Sequence, residues 1–100
     1  DFDKVLKSTE RLVVVFWGPK CRRCDGLARD FREAAEELLL KNATTRLAQV
    51  DTQQAQELAS RYKLPMFPSI LYFVNGTRAE RFNSVRTASA MRNWVLRREG

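Results

Sequence analysis

The chain has 100 residues, 44% of them apolar and 30% charged, with 18 Lys and Arg against 12 Asp and Glu, four Gly and three Pro, the composition of one small globular domain. Its longest strongly apolar block, Leu12 to Trp17, is far too short to span a bilayer, and its net charge of +6 contains no Lys/Arg run longer than two, which excludes a membrane helix and gives no nucleic-acid signature. Two cysteines and no histidine exclude a self-contained zinc finger, a Cys-His protease and a Ser-His-Asp site, each of which needs an imidazole or four soft ligands.

Phe2, Val5 and Leu6 recur at helical spacing and predict one or two helical turns over residues 2–8. Residues 11–17 predict a strand buried on both faces, because their apolar character is nearly continuous, and Gly18-Pro19 ends it. From about 21 to 41 the pattern predicts a long amphipathic helix with Leu27, Phe31, Ala34, Ala35, Leu38 and Leu39 on one stripe. Leu47, Ala48 and Val50 predict a second strand ending at Asp51. Asp51 with Gln54 resembles a capping arrangement for a helix carrying Ala55, Leu58, Ala59 and Tyr62 on one face. Pro65 and Pro68 bracket a loop. Residues 70–74, Asn75-Gly76 and residues 77–82 predict a hairpin, since Asn-Gly accepts the positive φ values of a two-residue turn. Thr87 or Ser84 then caps a last helix with Met91, Trp94 and Val95 inward. The order α β α β α β β α predicts an α/β fold in which the first two strands pair in parallel and a hairpin completes a mixed sheet flanked by helices.

The chemistry concentrates in Cys21-Arg22-Arg23-Cys24. A thiol opening a helix directly after a buried strand faces unpaired backbone N–H groups and the positive end of the helix dipole, so Cys21 is expected to be acidic. Cys24 lies one turn further in, shielded, and able to close a small ring with Cys21. Arg22, Arg23 and Lys20 add positive charge that favours the thiolate, with Asp25 partly offsetting it. Whatever stabilises the thiolate stabilises the dithiol, so an oxidising pair is expected. As a structural staple the ring is a poor one, constraining the unfolded chain by about 2 kcal/mol against roughly 3 for a fifteen-residue loop. An inert staple and half of an intersubunit zinc site remain the alternatives.

The chain begins at Asp1 without a signal peptide, which reads as a domain excised or processed from a longer multidomain protein. Asn42-Ala43-Thr44 and Asn75-Gly76-Thr77 are sequons that permit a secretory-pathway origin, although turn chemistry accounts for such asparagines equally well.

The run from Val15 through Trp17, Gly18-Pro19 and Cys21 to Cys24, followed by Leu27 and Phe31, resembles the active-site strand and helix of the thioredoxin superfamily, most closely the catalytic domains of protein disulfide isomerases. The likeness continues through residues 47–51, 58–62, 67–69 and 73–76 to Arg86 and Asn93-Trp94, and so covers essentially the whole chain as one thioredoxin-like domain over residues 1–100. The resemblance implies a thioredoxin fold without metal or organic cofactor. In it Cys21 is the nucleophile that attacks a substrate disulfide and Cys24 the resolving thiol. Pro68 matches the family's cis-proline and, with Phe67 and Trp17, contacts an extended substrate chain. Arg86 matches an arginine that approaches the inner cysteine during turnover, a surface charge being the plainer alternative. The implied partners are cysteine-containing secretory proteins and a reoxidising partner or glutathione, in the lumen of the endoplasmic reticulum or the secretory pathway.

Several positions depart from the family pattern. The family's buried carboxylate, which accepts the proton of the resolving cysteine, is Val15 here, and the lysine often paired with it is Gln49. Losing both charges together is mild for stability, because no lone buried charge remains. Losing the base removes assistance typically worth 10²- to 10⁴-fold, so a long-lived mixed disulfide is expected. Lys20 replaces an aromatic, and Asp25 and Arg29 replace a basic residue and a helix proline. The family's first strand precedes the segment matching Phe2 to Leu6, so one edge strand is expected to be absent. Two functions follow: a disulfide oxidoreductase or isomerase, and a low-turnover domain that binds or retains client thiols.

Overall fold

The computed structural model describes residues 1–19 and 21–99. Four helices and four strands follow one another as α1 (Phe2–Ser8), β1 (Arg11–Trp17), α2 (Arg22–Leu40), β2 (Arg46–Asp51), α3 (Gln56–Arg61), β3 (Ser69–Val74), β4 (Thr77–Arg81) and α4 (Ala88–Glu99), the order that the periodicities predict. The sheet runs β2-β1-β3-β4. β1 pairs with β2 in parallel, Val15 lying beside Gln49, and with β3 antiparallel. β3 and β4 form the hairpin, with Asn75 at φ 51° and Gly76 at φ 83°. Two consecutive positive φ values explain why Asn-Gly stands there.

β1 is covered on both faces because its side chains alternate between two cores. Val13 and Val15 face Leu27, Phe31, Ala34 and Leu38 of α2 and Met91, Trp94 and Val95 of α4. Leu12, Val14 and Phe16 face Leu6 and Leu58, from α1 and α3. Phe2 meets Phe16, Tyr62 and Phe73 at ring-centroid distances of 6.2, 6.2 and 6.1 Å, so a seven-residue helix is held by aromatic edges rather than by its own propensity.

The α2 stripe is narrower than the sequence pattern. Leu27, Phe31, Ala34 and Leu38 are buried, whereas Ala35 is half-buried and Leu39 is 63% exposed. At about 100° per residue Leu39 points away from the line that Leu38 continues. The helix ends where Asn42 takes φ 57°, which lets the Ala43 N–H reach back to the Leu38 carbonyl at 3.0 Å. Asn42 and Asn75 are both exposed and both left-handed, so turn geometry accounts for each.

The capping arrangement expected of Asp51 and Gln54 does not form. Asp51 is still the last residue of β2, and its Oδ1 accepts the Gln53 N–H at 2.9 Å, closing a turn. Thr52 extends the strand contact by donating its N–H and hydroxyl to the Trp17 carbonyl at 3.0 and 2.7 Å. The helix therefore starts later, after Ala55, without a side-chain cap. Thr87, by contrast, accepts the Ala90 N–H at 3.2 Å and caps α4 as expected. β2 forms one edge of the sheet, and no fifth strand pairs with it among the described residues.

Candidate active site

The site forms where β1 ends and α2 begins. Apolar packing pins β1 as far as Phe16, and the Gly18-Pro19 turn releases the chain into α2. The Phe67 ring packs onto Gly18 so closely that a Cβ there would collide with it. Glycine is required at this position by that close approach, not by its backbone angles.

Cys21 is the N-cap residue of α2, at φ −90° and ψ 97°, and makes no side-chain capping bond. The Cys24 N–H donates to the Cys21 carbonyl at 3.3 Å, turning the chain so that the two residues form a disulfide with Cα atoms 5.4 Å apart. Cys21 is half-buried and Cys24 is 8% exposed, so the outer sulfur can be reached and the inner one is shielded. A cavity of about 330 Å³ is lined by Trp17, Gly18, Cys21, Cys24, Asp25 and Ala28. Both sulfur-bearing residues thus share one space with the Trp17 indole and one carboxylate.

Trp17 is fixed from beside, its Nε1–H donating to Gln49 Oε1 at 3.1 Å. The position that the resemblance gives to a lysine therefore holds an amide that orients the tryptophan. Val15, two residues earlier on the same face, is fully buried in the apolar cluster beneath α2. Arg22 and Arg23 are exposed and make no ion pair among the described residues, so their influence on the sulfurs is through solvent and salt-dependent. Lys20, grouped with them by sequence, lies outside the described residues.

The Phe67-Pro68 bond is cis. Pro68 is buried, and the following Ser69 hydroxyl donates to the Met66 carbonyl, locking the loop from below. Phe67 also lines a cavity of about 400 Å³ with Pro19, Thr52, Gln53, Gln56 and Ala59. Arg86 is half-buried and lines a third cavity, of about 130 Å³, together with Pro68. The structure therefore gathers Trp17, Cys21 and Cys24 around one cavity, joins Phe67 to it through Gly18, and sets Pro68 and Arg86 in a separate one. The Trp17–Gln49 bond and the Gly18–Phe67 contact were missed by sequence reasoning, which sees neither partner across gaps of 32 and 49 residues. Among the described residues no group of three or more His, Cys, Asp or Glu could hold a metal ion, and no helix is long and apolar enough to cross a membrane.

A four-stranded mixed sheet with a cis-proline loop and a Cys-x-x-Cys disulfide opening its second helix defines a thioredoxin-fold disulfide domain. The chain belongs to the thioredoxin family, whose model, described as Thioredoxin, matches residues 1–97. It is 35% identical over 95 residues to protein disulfide isomerase-like 1-4 of Oryza sativa subsp. japonica, covering 95% of this chain and 17% of that protein. It is 31% identical over 100 residues to protein disulfide-isomerase 1 of Caenorhabditis elegans, covering the whole of this chain and 20% of that protein. Among solved structures, human ERp44 in its zinc-bound form superposes with a TM-score of 0.92 at 24% identity, covering 98% of this chain and 29% of that one. The chain thus spans about a fifth of the length of the curated relatives it matches.

Proposed function

We propose that this chain is a thiol-disulfide oxidoreductase or isomerase domain that exchanges disulfides with protein substrates through Cys21 and Cys24. The observation that carries this reading is the disulfide across the first turn of α2, with a reachable outer sulfur and a shielded inner one. In the oxidising direction a substrate thiolate attacks Cys21 Sγ. A mixed disulfide forms, and Cys24 leaves as a thiolate and takes up a proton. A second substrate thiolate then attacks the substrate sulfur of the mixed disulfide, expelling Cys21 as a thiolate; the substrate gains a disulfide and the domain holds the two electrons as a dithiol. Glutathione or a protein partner reoxidises it. The reverse sequence reduces a substrate, and the two together isomerise. No metal or organic cofactor takes part.

The helix N-terminus and Arg22 and Arg23 stabilise the Cys21 thiolate, with Lys20 adding to them in the same reading. Phe67, Pro68 and Trp17 contact the substrate, and Arg86 assists Cys24 from the cavity it shares with Pro68. The domain count of one, within a longer protein, and a place of work in the endoplasmic reticulum lumen or secretory pathway belong to the same proposal, supported by the protein disulfide isomerase relatives.

Val15 favours a second reading. With a fully buried aliphatic where a proton acceptor would stand, escape from a mixed disulfide by Cys24 is slow, as in a domain that retains client thiols. Equilibration against glutathione, followed by thiol trapping, tests the first reading. A potential at or above roughly −180 mV is expected, and one near roughly −270 mV would make the domain a reductant instead. A mixed disulfide that accumulates and persists would transfer the function to retention.

A further inference from the structure

The link between β4 and α4 closes over the 130 Å³ cavity, whose wall includes Met66, Pro68, Arg81, Asn83, Ser84 and Arg86. Its two arginines come from different elements, Arg81 from the end of β4 and Arg86 from the link itself. Both are half-buried, neither forms an ion pair among the described residues, and no Asp or Glu lines the cavity. Arg81 has one long neutral contact, Nη2 donating to Ser69 Oγ at 3.4 Å, which leaves most of its five N–H donors free. Elsewhere in the molecule half-buried arginines are matched: Arg92 meets Glu37 at 2.6 Å and Arg98 meets Glu80 at 2.6 Å. Two unmatched guanidinium groups lining one cavity concentrate positive potential there, a condition that an anion between them relieves.

We propose that this cavity binds a carboxylate of the protein substrate, an Asp or Glu side chain close in sequence to the reacting cysteine. The inference rests on the disulfide-exchange reading above for its substrate, and it adds a specificity that nothing in that chemistry requires. The surroundings favour a peptide over a small free anion. Met66, on the wall, is 56% exposed, and Val85, between the lining residues Ser84 and Arg86, is 66% exposed. Apolar side chains at the rim of a charged cavity suit a chain that brings one acidic residue among apolar ones. Planar guanidinium donors suit carboxylate geometry, and the cavity adjoins Pro68, beside which the substrate chain is expected to run.

The test uses short peptides with blocked ends and serine in place of the reacting cysteine, so that binding is read without exchange. One series carries a single Glu at successive positions on either side of the serine, and its control carries Gln. At the best position the Glu peptide should bind the oxidised chain about tenfold more tightly than its Gln twin. That ratio should shrink towards one as salt rises to about 0.5 M. Arg81→Gln, checked for folding by its urea transition, should remove the preference while leaving disulfide exchange with a neutral cysteine peptide unchanged. Equal binding of Glu and Gln peptides by the unaltered chain overturns the proposal without any variant. A preference that survives Arg81→Gln, or inorganic phosphate binding at the cavity while the peptides fail to discriminate, overturns it too. The two proposals separate cleanly: a chain that prefers the Glu peptide but exchanges no disulfides keeps this site and loses the redox function, and the opposite result loses the site alone.

Discussion

At the Arg11 end of β1 the half-buried arginines are matched, Arg11 with Glu10 and Arg98 with Glu80, whereas at the Trp17 end the half-buried Arg81 and Arg86 and the exposed Arg22 and Arg23 form no ion pair among the described residues. Arg11 donates from Nη1 to the Tyr72 hydroxyl at 3.2 Å and to the Arg98 carbonyl at 2.6 Å. Arg98 grips both oxygens of Glu80 at 2.6 and 2.7 Å and lies 3.5 Å over the Trp94 ring. Glu99 accepts the Thr44 and Thr45 N–H groups at 3.0 and 2.8 Å, tying the end of α4 to the entrance of β2. The same residue types serve two purposes along one strand. Matched half-buried arginines hold the far end of the domain, and unmatched ones leave positive potential at the near end, where the proposed thiolate and carboxylate would meet it.

The sharpest way to break this comparison is at the sulfurs. Cys21→Ser should abolish disulfide exchange in an insulin-reduction assay, while the lost ring costs only about 2 kcal/mol in urea unfolding. An active Cys21→Ser domain would remove the chemistry from the Trp17 end. The next largest effect is expected from restoring the absent base. Val15→Glu, made with Gln49→Lys because the two are neighbours across β1 and β2, should speed release of a trapped mixed disulfide by about 10²-fold in stopped-flow quenching. No acceleration would mean that the missing carboxylate is not what limits turnover.

At the matched end the expected effect is on stability. Glu99→Ala leaves the buried Thr45 N–H without a partner and should cost about 2 kcal/mol in urea unfolding, with the redox potential unchanged. The acid response follows from the same groups. The Arg98 hydrogen bond holds the Glu80 carboxyl below its ordinary value. Burial pushes Glu99 up, but hydrogen bonds from Thr45 and Thr44 outweigh it and leave that carboxyl lowered as well. A folded-state value below the unfolded one stabilises the fold fully above the ordinary carboxyl value of 4.5, and the contribution disappears as pH falls through the lowered values. Urea midpoints measured downward from pH 5 should therefore fall less steeply for Glu99→Ala than for the unaltered chain. The smallest effect is at the site: Asp25→Asn removes the one carboxylate in the cysteine cavity and should raise the potential by about 5 to 20 mV in glutathione equilibration, since a single exposed charge acts weakly.

The order of elements, the hairpin at Asn75-Gly76 and the position of the sulfurs at a helix start were all legible in the sequence, because each depends on neighbours within a few residues. A nearly continuous apolar run dictates that β1 is buried on two faces, Asn-Gly dictates the tight turn, and Cys-x-x-Cys closes on itself across one helical turn. Asp51 misled because its capping pattern is local too, and the turn that follows β2 used the carboxylate first. Tertiary structure alone decided that Gln49 holds Trp17, that Phe67 lies on Gly18, and that Arg86 shares a cavity with Arg81 and Pro68 rather than with the cysteines. Those relations join side chains far apart in sequence. They arise from how two cores pack on one sheet, and a local pattern carries no information about which distant side chain will fill the space it leaves.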